Sequence, residues 1–288
     1  MRLSPTVALR ELKMAVVGHV EWVQFALVEH VPAAGEVVHA RSPFEEPAGG
    51  GGVSAVQLAR LAGGATLMTA LGEDEHGGRS RTRLRQLGVD VRAAPLQAAT
   101  RRAVTLLEDT GERTIVTLGA RLEPPAALVR EQCERAGRFD GLYFTAGDAE
   151  ALRVSRAASR ILVASPRAAH ALGHGVALDA LVLSGEDEGE RSMAAGAERQ
   201  ARLLVVTEGA RGGSYSTSEG ASGRWDPSPL PAPELDTYGC GDSFAAGLTF
   251  ALAAELELEQ ALALAARCGA VCASGRGPYE RQLQRRDL

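Results

Sequence analysis

Lysine is almost absent from this chain. Lys13 stands alone against thirty arginines. A Walker A loop needs a lysine after its last glycine, and pyridoxal chemistry needs a Schiff-base lysine. No Gly-rich loop precedes Lys13, so neither can be built, and any phosphate handling falls to backbone amides, arginines and a metal ion. Long apolar runs are missing too: none reaches the ~18 residues of a bilayer span. Excess positive charge is missing, and a net charge of -5 gives no electrostatic reason to expect nucleic acid or an anionic membrane as partner. The four cysteines, Cys133, Cys240, Cys268 and Cys272, show no disulfide framework. Cys268 and Cys272 lie i,i+4 on an Ala-rich stretch without the second ligand pair of a zinc site, and read as core. His170 and His174 lack the intervening Glu of a metalloprotease helix. The start of the chain, with Arg2, Arg10, Glu11 and Lys13, does not resemble a signal peptide, so a cytoplasmic protein is expected.

What is present is ordinary for a globular protein: 45% apolar and 23% charged residues over 288 positions. At this length the chain could hold one large α/β domain or two smaller ones. Its most informative stretch is Asp236-Thr237-Tyr238-Gly239-Cys240-Gly241-Asp242, which runs into the apolar helix-like segment after Ser243. Two glycines bracketing one small residue at a helix start leave backbone N–H groups pointing outward, where the macrodipole favours an anion. A carboxylate such as Asp242 is misplaced there if it only faces an anion. It makes sense as a base that takes a proton from a hydroxyl beside a held phosphate. The competing reading is a glycine turn with Asp242 and Ser243 capping a helix.

This string resembles the D-T-x-G-A-G-D signature of the ribokinase-like (PfkB) family of sugar and nucleoside kinases, with Cys240 in place of alanine. The resemblance implies that Asp242 is the catalytic base. It implies that the amides of Gly239, Cys240 and Gly241 form an anion hole for the transferred phosphoryl group, and that Thr237 contacts the nucleotide. Thr207-Glu208-Gly209-Ala210-Arg211-Gly212 is similar to the family's T-x-G-x-x-G turn, which implies nucleotide contacts at Thr207, Gly209 and Gly212. The small residues of the last Ala-rich helix, Cys268 and Gly269 among them, correspond to the adenine slot. After Leu183 the family's Asn-x-x-Glu becomes Ser184-Gly185-Glu186-Asp187, so Asp187 or Glu186 is implied as the organiser of Mg²⁺. Asp236 is implied as a ligand of a monovalent cation such as K⁺.

The acceptor half departs from the family. Its Gly-x-x-x-x-Asp clamp reads Gly18-His19-Val20-Glu21-Trp22-Val23, so the Asp that grips sugar hydroxyls is a valine, with Glu21 or His19 as polar substitutes. Trp22 is a candidate for stacking or for packing. The family's Gly-Gly-x-x-x-Asn matches at Gly49 and Gly50, with Ser54 at the Asn position. Gly72, Asp74 and Gly77 match a G-x-D-x-x-G turn with no catalytic role. Segments 25–45 and 98–118 alternate like strands, the second around a hairpin at 108–112. They correspond to the family's β lid, from which Arg101 would reach the substrate and through which a homodimer would form.

The implied whole is a single α/β domain over 1–288: a doubly wound, mostly parallel sheet flanked by helices, with a small β-sheet lid. It moves the γ-phosphate of ATP to a hydroxyl of a sugar or sugar-like alcohol. The alternatives are a nucleoside kinase of the same fold, for which Trp22 is a stacking candidate, and a non-catalytic sugar- or nucleotide-sensing homologue, which Val23, Ser54 and Ser184 would favour and an intact Asp242 opposes.

Overall fold

A computed structural model describes residues 11–108 and 113–288. The tip of the hairpin expected at 108–112 and the first ten residues lie outside that range. The chain opens on β1 (Met14–Val17), four buried residues that become the middle of a nine-stranded sheet. On one side β1 pairs in parallel with β4 (Ala65–Gly72) and then β5 (Val89–Leu96). On the other it pairs in parallel with β8 (Phe139–Phe144), followed by β9 (Ser159–Ala164), β10 (Leu178–Ser184) and β11 (Ala201–Thr207). An antiparallel hairpin, β12 (Gly213–Thr217) and β13 (Ser222–Trp225), closes that edge.

Successive side chains of a strand point to opposite faces, so a strand covered on both faces reads as continuously apolar. Met14 and Val16 enter the core shared with Val53, Leu58, Phe244, Leu248 and Leu262, while Ala15 and Val17 enter the core shared with Val129 and Leu152. The first core is roofed by α1 (Gly49–Ala62), α7 (Cys240–Ala253) and α8 (Leu258–Ala273), with Leu84 of α2 (Glu75–Gln86) at its margin. The second lies under α3 (Ala126–Ala136) and α4 (Ala149–Ala158), with the short α5 (Ala169–Leu172) and α6 (Glu188–Ala194).

A second sheet stands apart in order β3-β2-β6-β7: β3 (Arg41–Ala48), β2 (Glu21–Val28), β6 (Arg102–Glu108) and β7 (Arg113–Leu118). It is mixed rather than antiparallel throughout, because β2 and β6 run parallel. The glycines of 49–52 form the first turn of α1 itself. Their lack of Cβ is a packing requirement: a methyl on Gly51 would sit 2.6 Å from the His19 carbonyl oxygen, which accepts the Gly51 amide. Asp74 caps α2 at the Gly77 amide and accepts from both the amide and the hydroxyl of Thr100.

Candidate active site

In a doubly wound sheet, ligands sit outside the carboxyl ends of the strands where the order reverses direction. Here the reversal is at β1, which sends the chain to β4 on one side and has β8 on the other. The residues just past those two strand ends are Gly18-His19 and Thr145. The first turn of α1 closes the crevice from above: a Cβ on Gly50 would lie 3.0 Å from Thr145 Oγ1 and 3.1 Å from Asp242 Oδ1. The backbone-only face of Gly50 thus borders the hydroxyl and the carboxylate together. Thr145 Oγ1 and His19 Nδ1 are buried and have no hydrogen-bond partner among the described residues.

Asp242 arrives on the first turn of α7, whose N-cap Gly239 adopts φ 82°, a left-handed conformation that glycine accepts without strain. The loop ahead of it is pinned by Asp236. One carboxylate oxygen accepts the Tyr238 amide at 2.8 Å, and the other accepts the Gly277 amide at 2.9 Å. Ser54 Oγ donates to the Asp242 carbonyl at 3.1 Å, tying α1 to α7. Burial pushes the Asp242 carboxyl up to about 6, while Arg167 works in the opposite direction. The Cys240 amide of this helix start donates to the Thr237 carbonyl at 3.3 Å, so it is not a free member of the expected anion hole. A half-buried carboxylate with that proton affinity, at a helix start, suits proton removal from a hydroxyl near neutral pH.

Arginines surround this centre. Arg167, on the turn after β9, is held by Glu190 at 2.7 Å and Asp187 at 3.2 Å. Arg121 chelates Glu123 and donates to the Arg167 carbonyl at 3.0 Å. Arg113, at the start of β7, reaches over to Thr237 Oγ1 and so joins the small sheet to the loop of 236–241. Arg101 lies 3.3 Å from Glu21, a buried carboxyl that desolvation pushes up. His19 is driven down to about 3 by burial first, then by Arg121, Arg101 and Arg167, and is therefore a neutral imidazole.

A family model described as pfkB family carbohydrate kinase matches residues 11–169 and 177–284. The chain belongs to that family. Among curated relatives, the ATP-dependent ribose-1-phosphate kinase of Halopiger xanaduensis is 29% identical over 278 residues, covering 90% of this chain and 91% of the relative. The fructokinase of Salmonella typhimurium is 30% identical over 284 residues, covering 83% and 91%. Among solved structures, a putative ribokinase from Agrobacterium tumefaciens superposes with TM-score 0.77 at 20% identity, covering 96% of each chain. Phosphofructokinase-2 from Escherichia coli, solved with potassium, superposes at 0.75 with 18% identity, covering 96% and 97%. This pfkB member is thus a carbohydrate kinase, a phosphotransferase with the ribokinase fold.

The geometry sorts the sites expected from sequence. Gly239, Cys240, Gly241 and Asp242 form one helix start, with Gly49 and Gly50 across from it. Glu21 borders Gly49, but as the partner of Arg101. Arg102, its neighbour on β6, is exposed. Ser54 is fully buried and holds the Asp242 backbone, which is a positioning role in place of a substrate contact. Trp22 points away from the crevice, because alternation along β2 sets it opposite Glu21 and Val23. It stacks on His76 at 5.7 Å with the Arg79 guanidinium over its ring at 4.2 Å, which removes it as a substrate platform. Cys268 is enclosed where α8 meets α7, its Sγ 2.7 Å from where a Cβ on Gly247 would be, so it is core and not an adenine contact. Gly269 lies 3.4 Å (again to a constructed Cβ) from the Cys240 carbonyl, directly behind the helix start.

On the nucleotide side, Thr207 Oγ1 donates to the Leu183 carbonyl at 3.3 Å, and Gly209 and Gly212 turn the chain with φ of 55° and 78°. Asp187 caps α6 at the Glu190 amide, 3.0 Å away, besides taking Arg167, and Glu186 pairs with exposed Arg211 at 3.0 Å. Among the described residues no three His, Cys, Asp or Glu side chains gather as a metal cluster, and Asp236 is engaged by backbone amides. Mg²⁺ therefore fits only as an ion that keeps its waters and phosphate ligands, touched by one or two carboxylates. Thr145, Arg113, Arg121 and Arg167 were missed in the sequence. The switch-point rule identifies Thr145 once β8 is placed. The arginines carry no local signal among thirty of their kind.

Proposed function

We propose that this carbohydrate kinase transfers the γ-phosphate of ATP to a hydroxyl of a sugar or sugar-like alcohol, with Asp242 as the base. The observation that carries it is the Asp242 carboxyl, raised to about 6, set against Gly50 and Thr145 at the reversal of strand order and on the first turn of α7. The acceptor hydroxyl would lie between Asp242 and Gly50 and lose its proton to Asp242. The amides of Gly239 and Gly241 would stabilise the charge on the transferring phosphoryl group, with Cys240, whose amide donates to the Thr237 carbonyl at 3.3 Å, holding the turn between them. Thr207, Gly209, Gly212 and Thr237 would flank the nucleotide, and Asp187 and Glu186 would hold Mg²⁺ through its waters, where the ion supplies charge neutralisation on the phosphates. Asp236 would keep the helix start in place, and its contact with the Gly277 loop is the position for a K⁺ ion.

The relatives' names offer two kinds of acceptor, a sugar phosphate and a free sugar. Packing of Trp22 against His76 weakens the nucleoside reading, which relied on it for base stacking. The edge strand β7 shows Ile115, Val116 and Leu118 to solvent, which supports a homodimer through this sheet. An ATP donor and four free thiols accord with a cytoplasmic setting. The test is ATP-to-ADP conversion with Mg²⁺ and K⁺ across sugars, sugar phosphates, sugar acids and nucleosides, with Asp242→Asn as control. The variant should lose about 10²–10⁴ in turnover and keep its affinity for ATP. A variant with full turnover excludes Asp242 as the base.

A further inference from the structure

We propose that the acceptor carries an anionic group, a phosphate ester or a carboxylate, and that Arg101 with His19 forms the subsite that takes it, Arg121 standing behind. The proposal rests on the kinase reading above and names its substrate class. The first observation is an absence of negative charge. The residue where the family places its sugar-gripping Asp is Val23, fully buried in the apolar core. No carboxylate therefore comes from that position to repel an anion. The nearby acid is Glu21, whose methylene lies 3.3 Å from where a Cβ on Gly49 would be, and it faces Arg101.

The second observation is a cation with a buried donor, the Arg101 Nε, that has no hydrogen-bond partner among the described residues. The Arg101 side chain is only 20% exposed, and its Nε lies 3.3 Å from Glu21 Oε2 without the alignment of a hydrogen bond. Buried polar groups normally have partners. Burial pushes the Glu21 carboxyl up, against the opposing pull of Arg101. The other two arginines are committed differently: Arg121 to Glu123, and Arg167 to Glu190 and Asp187.

The third observation is His19. Its ring is 6% exposed, Nδ1 has no partner among the described residues, and Nε2 approaches Gly49 at the mouth of α1. Every charge that acts on it appreciably is positive, from Arg121, Arg101 and Arg167. A neutral imidazole in a positive field, with an unused ring nitrogen, is a donor waiting for an oxyanion. A neutral sugar would offer the Arg101 Nε and the His19 Nδ1 no charged acceptor, whereas an anion gives both one, through charge-assisted bonds that are stronger than neutral ones. Phosphate and carboxylate share this chemistry.

The experiment measures ADP formation at saturating MgATP with matched acceptors: ribose and fructose, their 1-phosphates, fructose 6-phosphate, and aldonic acids. Wild-type enzyme should favour one anionic acceptor over its neutral parent by about 10²-fold in kcat/KM, and whether the phosphates or the acids win identifies the group. Arg101→Met should lower kcat/KM on that acceptor by about 10–100-fold more than on its neutral parent sugar. Arg101→Lys keeps the charge and should recover part of the preference. The ATP Kd and melting temperature of each variant establish that it is folded. A wild type that prefers neutral sugars, or an Arg101→Met loss equal on both kinds of acceptor, overturns the inference and leaves the kinase reading standing. No turnover with any acceptor overturns that reading and the inference with it.

Discussion

Asp242 couples burial to pH. It must be ionised to accept a proton, and its carboxyl titrates at about 6 instead of 3.8. Below that point kcat/KM should rise about tenfold per pH unit and then level off, because one deprotonation controls the base. A pH–rate profile flat down to about pH 5 would contradict the assignment. The same shift affects stability with a definite sign. A raised folded pKa means the fold favours the protonated acid. That stability is full below 3.8 and is lost as the pH rises through about 6. Asp242→Asn, neutral throughout, should melt higher than wild type at about pH 8 and lose that advantage near about pH 4. Gly50 makes the complementary case for space. A methyl there meets Thr145 Oγ1 and Asp242 Oδ1 at 3.0 and 3.1 Å, so Gly50→Ala should reduce acceptor kcat/KM far more than it reduces melting temperature. A thermal melt alongside kinetics checks the split.

At the scale of elements, the helix start of α7 is held from two directions. Asp236 pins its loop through the Tyr238 and Gly277 amides, and Ser54 of α1 holds the Asp242 carbonyl. Asp236→Ala strands two amides, each costing about 1–3 kcal/mol when buried and unpaired, so denaturant unfolding should show a loss of several kcal/mol. Ser54→Ala removes one bond, with an expected cost of about 1 kcal/mol and a fall in kcat at unchanged KM. A rise in KM alone would mean that Ser54 touches the acceptor after all. The close approach of α7 and α8, with Gly247 against Cys268, explains why these helices are rich in Ala, Gly and Cys: larger side chains would push the helix start away from the crevice.

At the scale of the molecule, the two sheets meet around this loop. Arg113 of β7 reaches Thr237, Phe25 of β2 sets its ring edge-to-face with Tyr238 at 4.9 Å, and Arg276 lies over Phe44 of β3 at 4.7 Å. The buried Tyr279 hydroxyl donates to the Pro47 carbonyl at 2.5 Å, where β3 turns into α1. Tyr279→Phe should therefore cost about 1 kcal/mol and lower Tm by about 2–4 °C. An unchanged Tm would show that this contact does not hold the sheets together.

The architecture was legible because its signals are local. Buried parallel strands read as unbroken apolar runs, as in 201–207, and the glycines of 239 and 241 announce a helix start whatever lies around them. The turns and helix start assigned to the nucleotide half are contiguous strings, so their backbone shape was legible for the same reason. The acceptor half depends on which distant residues meet. Val23 can be seen to be missing an acid in the sequence. Arg101 beside Glu21, three arginines around one neutral histidine, and Ser54 turned to the Asp242 carbonyl instead of a substrate follow only from how β2, β6, α1 and α7 converge. Backbone conformation is set by neighbours along the chain, whereas charge balance and unpaired donors in a crevice are set by neighbours in space, and those the tertiary structure alone decided.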